Sequence, residues 1–164
     1  MEEALVAQVL TLEMFHGVTA QWVRSHGSEV RRFTAAAGDV VVDQGEPATE
    51  VYAVLSGRLE VNYRDALGAE RLVSSLGAGD TFGEIALLNG GVRTSVVRAV
   101  TTSELVALTG EGFRELLADH PGLASRVTTV AAMRLRHRNV VADAMEHLGL
   151  SDRAAVAELS LIHI

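Results

Sequence analysis

The 164-residue sequence contains no cysteine. Disulfides, thiolate zinc sites and cysteine-ligated iron–sulfur clusters are thereby excluded, and a cytoplasmic address is expected. Aromatic residues make up 4% of the chain against 48% hydrophobic residues in all, so the core has to be aliphatic, built from Val, Leu and Ala. No apolar run reaches the roughly 18–20 residues that cross a bilayer, and no membrane contact is expected. The first residues, Met-Glu-Glu-Ala, are acidic where a secretory signal is basic. Basic charge is also scarce, with 14 Lys and Arg against 21 Asp and Glu and a net charge of −7. Holding nucleic acid through its phosphates takes a basic face, so direct nucleic-acid binding is not expected. The length suits one domain with a proper core better than two.

Sites for catalysis and metals are missing as well. The six histidines are scattered, and neither His120 nor His137 has a second histidine four residues away on a helix with a carboxylate partner. No metal is expected. No Gly-x-Ser-x-Gly or other nucleophile setting occurs, so no catalytic residue is assigned and the chain is read as a non-enzyme.

What is present divides by texture. Leu5, Val6, Val9, Leu10 and Leu12 predict a helix over residues 2–14, and Thr19 is placed to cap a second one running to His26. From about Val30 the chain turns to short β-rich runs at Val40–Val42, Val51–Leu55, Leu59–Tyr63, Arg71–Val73, Ser95–Val100 and Glu104–Leu108. Gly38, Gly45, Gly57, Gly68, Gly77 and Gly79 punctuate them as turns punctuate a small antiparallel barrel. Ala-Gly-Asp occurs at 37–39 and again at 78–80, which suggests equivalent corners of a coiled sheet. Helix returns after Leu108: Thr109 caps a segment through Leu117, and a long helix runs from about Gly122 to His147, with Gly149 as its C-cap. Along the long helix Leu123, Val127, Val130, Arg134, His137, Val141, Ala144 and Leu148 form a heptad-like seam, polar in its middle. Such a seam serves to pair with another helix, to lie over the barrel, or both; a homodimer through it stays open. The basic cluster Arg134, Arg136, His137 and Arg138 spreads over more than one helix face and reads as a solvated or ligand-facing stretch.

The stretch with chemical content runs from Gly79 to Val97. A glycine-bounded helical turn, Glu84 to Leu88, lies between two strands, and its first amides are an anion site. Gly83 admits a ligand close to the backbone. Arg93 returns on the far side, where its fork-shaped guanidinium suits the same anion. One arginine and a few amides match a singly charged phosphodiester; a triphosphate would need the glycine-rich Lys-Ser or Lys-Thr loop that is missing. Glu84 would be repelled by phosphate, so it suits a sugar hydroxyl, partly balanced by arginine. The plainer reading is a structural ion pair between Glu84 and Arg93.

Phe82-Gly83-Glu84-Ile85-Ala86-Leu87, followed by Val92-Arg93-Thr94-Ser95-Val96-Val97, resembles the phosphate-binding cassette of the cyclic-nucleotide-binding domain family. Ala37-Gly38-Asp39-Val40, Gln44-Gly45-Glu46 and Val54-Leu55-Ser56-Gly57 resemble its β-roll landmarks, so the likeness covers the chain from about Met14 to residue 140. It departs from the family at Val92, where a proline is usual, and at Val96, where a hydroxyl residue is usual.

The resemblance implies an α+β, mainly β fold: a double-stranded antiparallel β-roll or jelly roll flanked by N-terminal helices and a long C-terminal helix. Residues 1–30 would be the helical segment, 31–149 the nucleotide-binding roll with its C-terminal helices, and 150–164 a tail. It further implies that Arg93, Thr94 and the amides of Ile85 and Ala86 hold the cyclic phosphate. Gly83 and Glu84 would hold the ribose 2′-hydroxyl, and Val61, Val73 and Leu76 would line the base pocket, with Arg134, Arg138 and Asn139 near the base or phosphate. The ligand would be cyclic AMP, or else cyclic GMP, with no further cofactor, and the output a relay through the long helix. A β-roll tuned to haem or an organic acid, or a non-binding dimerisation module, are the alternatives. The final Ser-Leu-Ile-His-Ile breaks the helical pattern and resembles translated adapter read-through, so a native continuation beyond about Glu158, carrying an output domain, is expected.

Overall fold

The glycine-punctuated middle of the chain folds into two four-stranded antiparallel sheets. The strands are β1 (Val30–Ala35), β2 (Val40–Val42), β3 (Glu50–Ser56), β4 (Leu59–Arg64), β5 (Glu70–Leu76), β6 (Thr81–Phe82), β7 (Val96–Ala99) and β8 (Ser103–Thr109). One sheet runs β1-β8-β3-β6 and the other β2-β7-β4-β5, so successive strands alternate between sheets as they coil into a roll, except for the β4–β5 hairpin, which stays within the second sheet. The computed structural model describes residues 1–88 and 91–148; within the last helix the side chains of residues 135, 137, 138 and 140–148 lie outside the described residues, as does the tail expected at 150–164.

The repeated Ala-Gly-Asp triplets build matching corners. At the first, the Asp39 carboxylate accepts from the Ala36 amide at 2.9 Å; at the second, Asp80 accepts from the Gly77 amide at 2.8 Å. Gly38 and Gly79 both take φ +92, where a side chain is strained. The Gly38 amide donates to Ala99 O and the Gly79 amide to Val54 O, each at 2.8 Å. Each corner thus carries the chain from one sheet to the other with the same hydrogen bonds.

β3 and β8 are buried on both faces, which is why they read as unbroken apolar runs rather than alternating ones. Inside the roll, Val54, Leu105 and Ala107 meet Val42, Leu59, Leu76 and Val97 of the other sheet. On the outer face, Val51, Ala53, Val106 and Leu108 pack against the helices. These are α1 (Glu3–Leu10), α2 (Ala20–Ser25), α4 (Gly110–Asp119) and α5 (Pro121–Leu148), with the short α3 (Glu84–Leu88) between β6 and β7. Thr19 and Thr109 cap α2 and α4 through their hydroxyls, as their positions predict.

Two boundaries differ from expectation. The helix predicted over residues 2–14 stops at Leu10 and continues as a 3-10 turn, Glu13–Phe15, because Leu12, Met14 and Phe15 must all enter the core. Pro121 opens the long helix instead of standing before it; the first helical position needs no amide donor and welcomes the fixed φ of proline. The expected C-cap, Gly149, lies outside the described residues. Leu123 and Val127 anchor the start of α5 to the helical core and so direct the helix across the roll. Among the described residues no helix is long and apolar enough to cross a membrane.

Candidate functional site: an anion pocket beneath the long helix

Between the β2-β7-β4-β5 sheet, α3 and α5 lies a cavity of about 280 Å3. Val42, Val61, Val73, Leu76 and Val97 give it an apolar wall; Gly83, Glu84, Ile85, Ala86, Arg93 and Thr94 form the opposite end; Val130, Met133 and Arg134 of α5 close over it. The volume sits near the lower end of the ~300–1,000 Å3 usual for small-molecule sites.

Arg93 is only 5% exposed. Its Nη1 donates to Gly83 O at 3.0 Å and its Nη2 to Glu50 O at 2.7 Å, and its guanidinium carbon stands 5.5 Å from the centre of the Tyr52 ring. The backbone of Arg93 is clamped too: its amide donates to Glu46 O and its carbonyl accepts from the Gly45 amide. Pro47 bridges to Val92, so the position where the family usually has proline is paired, strand-like, with a proline from the β2–β3 connection. Among the described residues no carboxylate pairs with Arg93. A buried cation held only by carbonyls and a ring face calls for an anion.

Glu84 is 2% exposed and supplies the opposite charge at the same end of the cavity. Its partner is not Arg93, as the plainer reading of the sequence had it. Arg134 of α5 donates Nη1 to Glu84 Oε1 at 2.6 Å and also reaches Thr81 O. The second oxygen, Glu84 Oε2, is buried without a hydrogen-bond partner among the described residues. A buried acceptor left unmet costs about 1–3 kcal/mol, which a ligand hydroxyl would relieve.

Gly83 makes the arrangement sterically possible. Its φ is +91, and a Cβ there would lie 2.9 Å from Arg93 Nη1 and 3.3 Å from Tyr52 Cδ2. The glycine read as giving a ligand close access to the backbone therefore also gives the arginine its place.

Every residue the sequence nominated on the roll lines this cavity, and Arg134 joins them from α5. Arg134 sits on the Glu84 carboxylate; the register with the family had put it near the base or phosphate. Asn139, five residues and about 7.5 Å further along α5 at 1.5 Å per residue, is exposed and does not line the cavity. The Arg138 side chain lies outside the described residues. Sequence reasoning missed Tyr52, Glu50, Val130 and Met133. Tyr52 did carry a signal, being the one aromatic in an otherwise aliphatic strand.

An antiparallel roll with a short helix inserted between strands sets a buried arginine and a buried glutamate at one end of a single pocket, an arrangement suited to a small anionic ligand. The chain belongs to the cyclic nucleotide-binding domain family, whose profile matches residues 32–120. Over 149 residues it is 31% identical to the cyclic AMP receptor protein of Thermus thermophilus, covering 91% of this chain and 69% of that one. It is 29% identical over 126 residues to a CRP-like cAMP-activated global transcriptional regulator of Mycobacterium tuberculosis, covering 77% of this chain; the chain spans 56% of that relative's length. The crystal structure of Thermus thermophilus catabolite activator protein superposes with a TM-score of 0.67 at 31% identity, covering 81% of this chain and 62% of that one.

Proposed function

We propose that this chain is the sensor portion of a regulatory protein and binds a cyclic nucleoside monophosphate, cyclic AMP in preference to cyclic GMP, in the pocket beneath α5. The observation that carries this reading is the pairing of two incomplete groups in one cavity: Arg93, a buried cation without a carboxylate partner, and Glu84, a buried carboxylate with one oxygen unmet. A cyclic phosphodiester supplies one negative charge for the first, and a ribose 2′-hydroxyl supplies a donor for the second. Thr94, Ile85 and Ala86 line the same cavity as Arg93 and would complete the phosphate site in this reading, while Val61, Val73 and Leu76 would give the base an apolar wall. The preference for cyclic AMP rests on the names of the Thermus and mycobacterial relatives.

α5 is the relay in this reading. It touches the pocket through Val130, Met133 and Arg134, so ligand in the pocket and the position of the helix bear on one another. Pairing of α5 with a second copy would carry the signal onward. The chain performs no chemistry of its own in this scheme. Its net charge of −7 supports an assignment without direct contact to nucleic acid, and no membrane step is included.

Isothermal calorimetry of the chain with cyclic AMP and cyclic GMP, alongside Arg93→Ala, is the test. Saturable binding that disappears in the variant is expected. Absence of heat with either nucleotide at high micromolar concentration would remove the assignment and reopen the haem and organic-acid alternatives.

A further inference from the structure

Arg93 poses a physical problem that its ligand alone does not solve. Before any anion arrives, a guanidinium that is 5% exposed and has no carboxylate partner among the described residues must be held in one orientation. Two carbonyls, Gly83 O and Glu50 O, take one hydrogen bond each. Two hydrogen bonds and the tether to the clamped backbone define that plane, but hydrogen bonds yield readily to small tilts out of it. The third constraint is a face.

We infer that Tyr52 is a positioning residue for phosphate recognition: its ring is the platform that fixes the plane of the Arg93 guanidinium and so decides which phosphate oxygens the arginine meets. The inference rests on the pocket being a cyclic-nucleotide site, and adds a residue that the cassette motif does not contain.

The Arg93 guanidinium carbon lies 5.5 Å from the ring centroid, inside the roughly 6 Å reach of a cation–π contact. Tyr52 is itself braced: Phe82, its cross-strand neighbour between β3 and β6, stacks on it at 5.1 Å and 22°, and Phe33 meets it edge-on at 6.0 Å. The adjoining Glu50 supplies the second carbonyl to Arg93, while its carboxylate is gripped by Arg31 at 2.8 and 3.0 Å. Platform and carbonyl are therefore two residues apart on one strand and reach the same guanidinium. Gly83 completes the fit, because a Cβ there would collide with the guanidinium at 2.9 Å and crowd the ring at 3.3 Å.

A point charge would need no platform; a planar fork does, since its hydrogen bonds lie in its plane. Truncating the ring should thus alter how oxygens are discriminated and not only how strongly the ligand is held. The test uses cyclic AMP and its Rp and Sp phosphorothioates, in which sulfur replaces one or the other exocyclic phosphate oxygen. Tyr52→Leu should lose about tenfold in cyclic AMP affinity, with the Rp-to-Sp affinity ratio moving toward one. Tyr52→Phe keeps the aromatic face and should restore the native ratio. A general loosening of the fold would weaken both phosphorothioates by the same factor and leave the ratio unchanged, and that result overturns the inference. Tyr52→Met serves as the second ring-free variant if Tyr52→Leu does not fold.

A second measurement separates this inference from the ligand assignment. Nitrogen-15 spectra of the ligand-free protein report whether the Arg93 guanidinium rotates. It should be immobile in the native chain and in Tyr52→Phe, and averaged in Tyr52→Leu. Equal immobility in Tyr52→Leu overturns the platform role. Loss of immobility in Tyr52→Leu, in a native chain that binds neither cyclic nucleotide, would overturn the functional reading and support the platform.

Discussion

Arg134 Nη1 lies 2.6 Å from Glu84 Oε1, an ion pair that spans fifty residues and joins the long helix to the floor of the pocket. It uses one carboxylate oxygen and leaves the other buried and unmet. A single glutamate therefore faces two clients, the helix at Oε1 and a ligand hydroxyl at Oε2. The plainer alternative for the sequence, a Glu84–Arg93 ion pair, does not form; the Arg93 guanidinium is bonded to two backbone carbonyls.

Glu84→Gln preserves shape but weakens acceptance of a hydroxyl. Affinity for cyclic AMP should fall by about 10–100-fold, the range of one to two charge-assisted hydrogen bonds. The variant should also cease to distinguish cyclic AMP from 2′-deoxy cyclic AMP. Calorimetry with both ligands checks this, and an unchanged preference for the ribose form would remove Glu84 from ribose recognition.

Arg134→Ala severs α5 from Glu84 and from Thr81 O while leaving Arg93 in place. Binding of cyclic AMP should persist with altered affinity, and the ligand should no longer change amide hydrogen exchange along 121–134. Native-like coupling of ligand to exchange in this variant would show that the relay does not pass through the pair.

Gly83→Ala and Gly79→Ala make a matched comparison. Both glycines have φ near +91, at +91 and +92, but a Cβ at Gly79 meets nothing within 4 Å, whereas at Gly83 it would lie 2.9 Å from Arg93 Nη1. Each should destabilise the fold by about 1–2 kcal/mol through backbone strain. Only Gly83→Ala should also abolish nucleotide binding, because the guanidinium must move. Urea unfolding and calorimetry on both variants decide the matter; equal effects on binding would refute the steric argument.

Burial, aided by the nearby Glu50 carboxylate, raises the Tyr52 phenol above its ordinary value of 10.0. The folded protein then holds this proton more tightly than the unfolded chain does. The associated stability is complete below about pH 10 and is lost as pH climbs through the folded-state value. Tyr52→Phe has no proton to lose there, so its stability should decline less steeply above pH 10 than that of the native protein. Thermal unfolding between pH 8 and pH 11.5, on the order of the phenol range, checks this; parallel curves would mean the proton is equally held in both states.

Much of the fold is local information. Thr19 and Thr109 cap helices wherever a helix follows them, and Gly38-Asp39 and Gly79-Asp80 close the same corner twice because each corner needs only a positive φ and an acceptor three residues from a donor. The cassette, Gly83 to Arg93, is likewise contiguous, so its residue types and their spacing announce an anion site. The early end of the first helix was not legible, because the burial of Leu12, Met14 and Phe15 depends on strands that come later in the chain.

What the linear order determined, then, is the set of turns, caps and cassette residues, whose interactions close within a few positions. What only the tertiary structure decided is who partners whom: Glu84 with Arg134 fifty residues on, and Arg93 with the carbonyl of Glu50 and the ring of Tyr52 some forty residues back. Charge and spacing name the residues that seek partners, but a buried group takes the partner that packing places within about 3 Å, and that distance is set by the coiling of two sheets and the crossing of α5.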